Sequence, residues 1–303
     1  MPVPSIISVD AATKKFGQFK AVDDASFSVK PGEIIGFVGV NGAGKTTTIN
    51  MLLGFTSPTK GTISLFGERI KPSTAHRSHS RIGYAAGDME LPTRMTGRQY
   101  INFVMSQSEG NHTKRLAHLT EIFSPQLSKK IGTLSRGNRQ KIALVAAFVT
   151  EPSLVILDEP TSGLDPIMQD AFLKLVRAER ERGTTVFMSS HYLQEVAEVC
   201  TRVLLMKNGK LVEDLSAETL QSTSGKTIRL VTASKVTPPQ YDVSSVEHSK
   251  NDNGHELSFV YKGKITELQR WISRQAGVVD IDISERTLEA EFRALYQDDG
   301  GKK

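Results

Sequence analysis

Apolar residues gather into short runs separated by longer stretches with helical spacing. Ile6 to Val9 and Ala25 to Val29 read as strands, and Glu33 to Val38 is an apolar run that ends at a glycine, the mark of a buried strand. A helix is expected from Gly44 to Leu53. Further apolar runs at Ile82 to Ala85, Leu154 to Leu157 and Thr185 to Met188 alternate with helical patterns such as Arg136 to Phe148 and Pro166 to Arg182. Strands alternating with helices predict a parallel sheet with helices on its faces. From Arg94 to Phe123 the spacing is mainly helical, so a helical insertion is expected there.

The texture changes after Leu215. Ser222, Thr223, Ser224 and Gly225 form a linker-like cluster, followed by strand patterns at Thr227 to Val231 and Leu257 to Tyr261. A helix over Ile265 to Ser273, a strand over Val278 to Ile283 and a helix over Arg286 to Tyr296 would close a second domain, with Asp298 to Lys303 as a frayed tail. The expected division is residues 1–217 and 226–297. Trp271 and Phe103 read as packing residues.

Charge adds little selectivity. The 38 basic and 33 acidic residues leave +5, too small for a charge-driven nucleic-acid binder, and no nucleic-acid partner is expected. Residues 1–215 hold 26 basic and 20 acidic groups, so the excess lies with the part that carries the motifs below. Cys200 is the only cysteine, which excludes an internal disulfide and fits a reducing compartment, with cytosol the default. The longest apolar run, Ile142 to Val149, is far short of a spanning helix, and the N-terminus lacks a signal pattern.

The segment Gly39-Val40-Asn41-Gly42-Ala43-Gly44-Lys45-Thr46, followed by Thr47, fits G-x-x-x-x-G-K-[ST] between a buried strand and a helix. Glycines let backbone N–H groups approach phosphate oxygens, and the helix N-terminus adds partial positive charge. Lys45 would reach the β and γ phosphates of ATP, and the Thr46 hydroxyl would ligate Mg²⁺. Leu154 to Glu159 is an apolar strand ending in two carboxylates. Asp158 would hold Mg²⁺ through its water shell, and Glu159 would orient and deprotonate the attacking water.

With these residues, Leu134-Ser135-Arg136-Gly137-Asn138-Arg139-Gln140 is similar to the signature of ABC ATPases, Thr161 to Pro166 to their D-loop, and Ser189-Ser190-His191 to their switch histidine. The resemblance covers about residues 5 to 215. It implies a P-loop NTPase of the α/β class with a mainly parallel sheet, an antiparallel β subdomain and a helical subdomain, joined to a small α+β C-terminal domain. It also implies a head-to-tail homodimer of nucleotide domains. Ser135 and Gly137 would then meet the partner's γ phosphate, His191 would sense the γ phosphate, and Asp165 would lie near the partner's loop. Phe16 fits the adenine-stacking aromatic, with Phe19 a nearby competitor.

One departure is marked: Gly87 stands where the family has glutamine. Glycine has no side chain to touch Mg²⁺ or water, so either Asp88 substitutes through a shifted loop or that contact is absent. Near the C-terminus, Thr287-Leu288-Glu289 with Phe292 resembles the accessory domain of ABC exporters of the antibiotic-resistance and multidrug type. The resemblance therefore implies an ATP-hydrolysing subunit on the inner face of the cell membrane, energising export through a separate integral-membrane permease. A non-transport ABC ATPase and a regulatory ATP-binding module are the alternatives.

Overall fold

In the computed structural model, residues 4–87, 91–191, 196, 198–216, 225–251 and 254–285 are described. The chain divides into two compact units, Met1–Ala217 and Glu218–Lys303. The first unit begins with strands β1 (Ile7–Phe16), β2 (Phe19–Val29) and β3 (Ile34–Val38), then helix α1 (Lys45–Leu52). Strands β4 (Lys60–Leu65) and β5 (Glu68–Arg69), the short helix α2 (His76–His79) and strand β6 (Ile82–Ala86) follow. Helices α3 (Gly97–Ser106), α4 (Thr113–Phe123) and α5 (Arg136–Phe148) form a helical insertion. The unit continues through β7 (Leu154–Asp158), α6 (Pro166–Glu181), β8 (Thr185–Ser190), β9 (Arg202–Lys207) and β10 (Lys210–Ser216).

Two sheets result. The larger has the order β10-β9-β3-β8-β7-β6. Its pairs from β9 to β6 are all parallel, and β10 closes one edge antiparallel to β9. Every residue of β3, β7 and β8 is buried, as expected for strands covered on both faces. The smaller sheet, β2-β1-β4-β5, is antiparallel. Phe27 of β2 stacks on Phe187 of β8 with centroids 5.9 Å apart, and Phe37 of β3 lies 5.2 Å from Phe187. These rings join the two sheets in one core, each contributing about 2–3 kcal/mol of burial.

Side chains cap three helices of the first unit, and the helix at the glycine-rich loop is among those without such a cap. Thr96 and Gln99 form a capping box at α3, Ser135 caps α5, and Asp165 caps α6 with Pro166 at its first position. Helix α1 has Gly44 at its N-cap and no side-chain cap. Its first amides are therefore free to face a ligand. Between helices, Arg115 of α4 pairs with Glu179 of α6, both buried, and Thr184 also donates to Glu179. That pair fastens the helical insertion to the layer covering the sheet.

The second unit contains β11 (Lys226–Thr232), β12 (Val243–Asn251), β13 (Gly254–Tyr261), α7 (Ile265–Ile272) and β14 (Val278–Glu285). Its antiparallel sheet has the order β12-β13-β11-β14. Its core holds Ile228, Leu257, Phe259, Tyr261 and Leu268, with Trp271 edge-on to Phe259 at 5.4 Å. Trp271 is thus a packing residue, whereas Phe103 is 54% exposed and is not part of the core. The expected helix over 286–296 lies outside the described residues.

Candidate phosphate-binding and hydrolytic site

The loop after β3 is shaped by close approach of backbone. Gly44 has φ 107°, and a Cβ there would stand 2.3 Å from the Ala21 carbonyl oxygen of β2. A side chain is excluded by both conformation and space. From the other side, the Gly209 amide in the β9–β10 turn donates to the Ala43 carbonyl at 2.9 Å. The Thr48 hydroxyl donates to the Gly44 carbonyl at 3.0 Å, tying the loop to α1. Lys45 is only 5% exposed, and its Nζ donates to the Gly39 carbonyl at 2.6 Å. Burial holds this ammonium below the usual lysine value, and the Glu159 and Asp158 charges act in the opposite direction.

Two strands place the carboxylates. In the parallel ladder Asp158 of β7 is in register with Ser189 of β8. The Ser189 hydroxyl donates to Asp158 Oδ1, and the same Oγ accepts from the Glu159 amide at 3.0 Å. One hydroxyl thus orients both acidic residues. Glu159 has φ 50°, a left-handed conformation that few residues other than glycine adopt. Its carboxylate lies with Oε1 3.7 Å from Lys45 Nζ and 3.4 Å from His191 Nδ1. Strain at this position has a counterpart in placement: the turned backbone directs the carboxylate toward Lys45 and His191.

Thr46, Asn41, Asp158 and Glu159 line one cavity of about 510 Å³, together with Tyr84 and Ser162. It opens at the carboxyl ends of the parallel strands, where open α/β sheets hold ligands. The Gly87 amide donates to the Asp158 carbonyl at 2.7 Å. A Cβ at Gly87 would lie 2.8 Å from the Glu159 carbonyl oxygen, so the glycine is required by this approach. Asp88, the expected substitute for the family glutamine, lies outside the described residues.

Ser135, Gly137 and Phe16 are not among the residues lining that cavity. Ser135 Oγ accepts from the Asn138 amide, and a Cβ on Gly137 would meet the Gly163 carbonyl at 2.7 Å. The start of α5 therefore packs on the 161–165 loop, and Arg136 Nη2 donates to Ser162 Oγ at 3.0 Å. Asp165 accepts from the Met168 amide at 3.0 Å. Phe16 and Phe19 end the β1–β2 hairpin, 55% and 66% exposed, and Lys14 Nζ lies 5.2 Å from the Phe16 ring centre. Sequence reasoning missed Tyr84, the ordering role of Ser189, and the Gly209 support, because each depends on strand neighbours distant in the chain.

The sequence profile of the ABC transporter family matches residues 22–162. The bacitracin transport ATP-binding protein BcrA of Bacillus licheniformis is 32% identical, over 96% of this chain and 97% of its own. The probable multidrug ABC transporter ATP-binding protein YbhF of Escherichia coli is 34% identical over 74% of this chain, a match that spans only 39% of YbhF. The Nod factor export ATP-binding protein I of Burkholderia lata is 35% identical, over 66% of this chain and 67% of its own. Among solved structures, an ATP-binding subunit of an ABC transporter aligns with TM-score 0.64 and 28% identity, covering 72% of this chain and 92% of that one. A dimeric bacterial ABC transporter cassette shares the fold, with TM-score 0.64 and 21% identity over 70% of this chain and 98% of that one. The relative matched along almost its whole length and the shared fold agree: this chain belongs to the ABC transporter family.

Proposed function

We propose that this subunit hydrolyses MgATP to energise export through a separate membrane permease, working as a head-to-tail pair of nucleotide domains at the inner face of the membrane. The observation that carries the hydrolytic part is the convergence of Lys45, Thr46, Asp158, Glu159 and His191 on one region of the sheet edge, with Glu159 between Lys45 and His191. The Thr46 hydroxyl and Asp158 carboxylate are hard oxygen donors in one cavity, which suits Mg²⁺ bound through few protein groups and several waters. Such an ion would neutralise charge on the transferring phosphate. Lys45 and the α1 amides position the phosphates, and Glu159 orients and takes a proton from the attacking water. His191, beside Glu159, senses the γ phosphate.

Ser135 and Gly137, at the start of α5, present a hydroxyl and an amide suited to a phosphate on a second copy. Asp165 lies beside that face, and Phe16 supplies the ring for adenine. No helix among the described residues is long and apolar enough to cross a membrane, which fits a motor that works on a separate permease. Export is supported by the likeness to the Nod factor export and multidrug transporter proteins.

The test is co-reconstitution with permeases encoded beside this chain, reading MgATP turnover against Lys45→Ala. A rise lost in the variant supports the transport motor. Robust turnover of the chain alone with no associating membrane protein would favour a non-transport ABC ATPase. In Glu159→Gln, hydrolysis should fall at least about a hundredfold while ATP-dependent dimerisation persists, and unchanged turnover would remove Glu159 from the chemistry.

A further inference from the structure

Strand register brings a tyrosine to the phosphate cavity. Residues paired in a parallel ladder project to the same face. β6 and β7 pair Tyr84 with Ile156 and Ala86 with Asp158. Tyr84, two positions before Ala86, therefore shares the face of the sheet that carries the Asp158 carboxylate. Its ring lies edge-on to Phe55, with centroids 6.1 Å apart at 76°, and packs against the core of the first unit. The residue is only half-buried and lines the same cavity as Thr46, Asp158 and Glu159.

The hydroxyl has no hydrogen-bond partner among the described residues, although enclosed phenols usually find one. A phenol keeps its proton at physiological pH, so this hydroxyl is available as a donor. Gly87, on the same cavity wall, contributes no side chain. A fixed ring with an unused donor thus stands beside the two oxygen groups suited to Mg²⁺.

We infer that Tyr84 is a positioning residue for the metal, its hydroxyl bonding to the water shell of the Mg²⁺ held beside Thr46 and Asp158. It supplies from β6 a polar contact that Gly87 cannot make. The inference rests on reading this site as an MgATP-hydrolysing centre.

Tyr84→Phe keeps the ring and its contact with Phe55 while removing the donor. Binding of adenylyl imidodiphosphate to the full chain, measured by calorimetry in excess Mg²⁺ and again in EDTA, separates the possibilities. The expected result is a loss of about tenfold in affinity with Mg²⁺, no change in EDTA, and a similar rise in the Mg²⁺ needed for half-maximal turnover. An equal loss with and without the metal would mean that the hydroxyl meets phosphate directly, overturning the metal-shell role. Unchanged affinity in both conditions would make Tyr84 a packing residue and also overturn it. Wild-type protein without Mg²⁺-dependent hydrolysis would defeat the reading of the centre itself, whereas an active wild type with an unaffected Tyr84→Phe defeats this inference alone.

Discussion

Lys45 shows how the site is held against the preference of the fold. Its ammonium is buried and sits below the ordinary lysine value of 10.5, chiefly through desolvation. Between the lowered value and 10.5 the unfolded chain binds the proton that the folded chain has released, so stability rises with pH across that window. Below the window the cost of burying the charge is fully present. Urea unfolding of the wild type and Lys45→Met at pH 7.5 and pH 10, without nucleotide, should therefore show the difference in stability moving in favour of the wild type at the higher pH. A constant difference would mean that Lys45 titrates as an ordinary lysine. Lys45 was legible in the sequence as a candidate because the glycine loop, its lysine and the following helix are contiguous. Ser189 was not, since its hydroxyl acquires meaning only when β8 aligns it with Asp158.

The segments that diverge most from the family pattern are explained by neighbouring elements. The end of β6 runs so close to the end of β7 that a Cβ on Gly87 would press on the Glu159 carbonyl, and Glu159 already occupies a left-handed backbone. Installing the family's usual residue as Gly87→Gln should therefore lower turnover rather than restore a missing contact. Gly87→Ala should cost nearly as much, about tenfold, because the displaced group is backbone in both. Steady-state hydrolysis by the two variants decides it: recovery or gain in Gly87→Gln with loss in Gly87→Ala would show that a side-chain contact is what this loop lacks. From sequence alone Gly87 was visible only as an absent side chain. The closeness of β6 to β7 that requires it comes from strand pairing across 72 residues, Ala86 with Asp158. Strand lengths were underread for a related reason: β1 and β2 extend to the hairpin at Phe16 and Phe19 although their outer halves are polar. Their pairing with each other overrides weak periodicity.

At the scale of the molecule, all the groups proposed to surround the phosphates lie in the first unit, and that unit has a large core of its own. Among the described residues, the second unit builds its sheet around far fewer buried apolar side chains, with Leu268 and Trp271 of α7 packed against them. A fragment of residues 1–217 should consequently fold and hydrolyse MgATP within about threefold of the full chain, a difference of less than about 1 kcal/mol in the barrier. Residues 218–303 alone should show a broad, low-temperature unfolding transition, because a small domain buries a smaller fraction of its surface. Calorimetry of both fragments and turnover of the first make the comparison. If the long fragment folds but loses turnover, the second unit supports the catalytic pair, and the assignment of all chemistry to residues before 217 fails. If it retains turnover but loses stimulation by a reconstituted permease, the second unit serves the coupling to transport instead. That outcome would agree with the resemblance of Thr287, Leu288, Glu289 and Phe292 to exporter accessory domains, a pattern that sequence offers without geometry because those residues lie outside the described part of the chain.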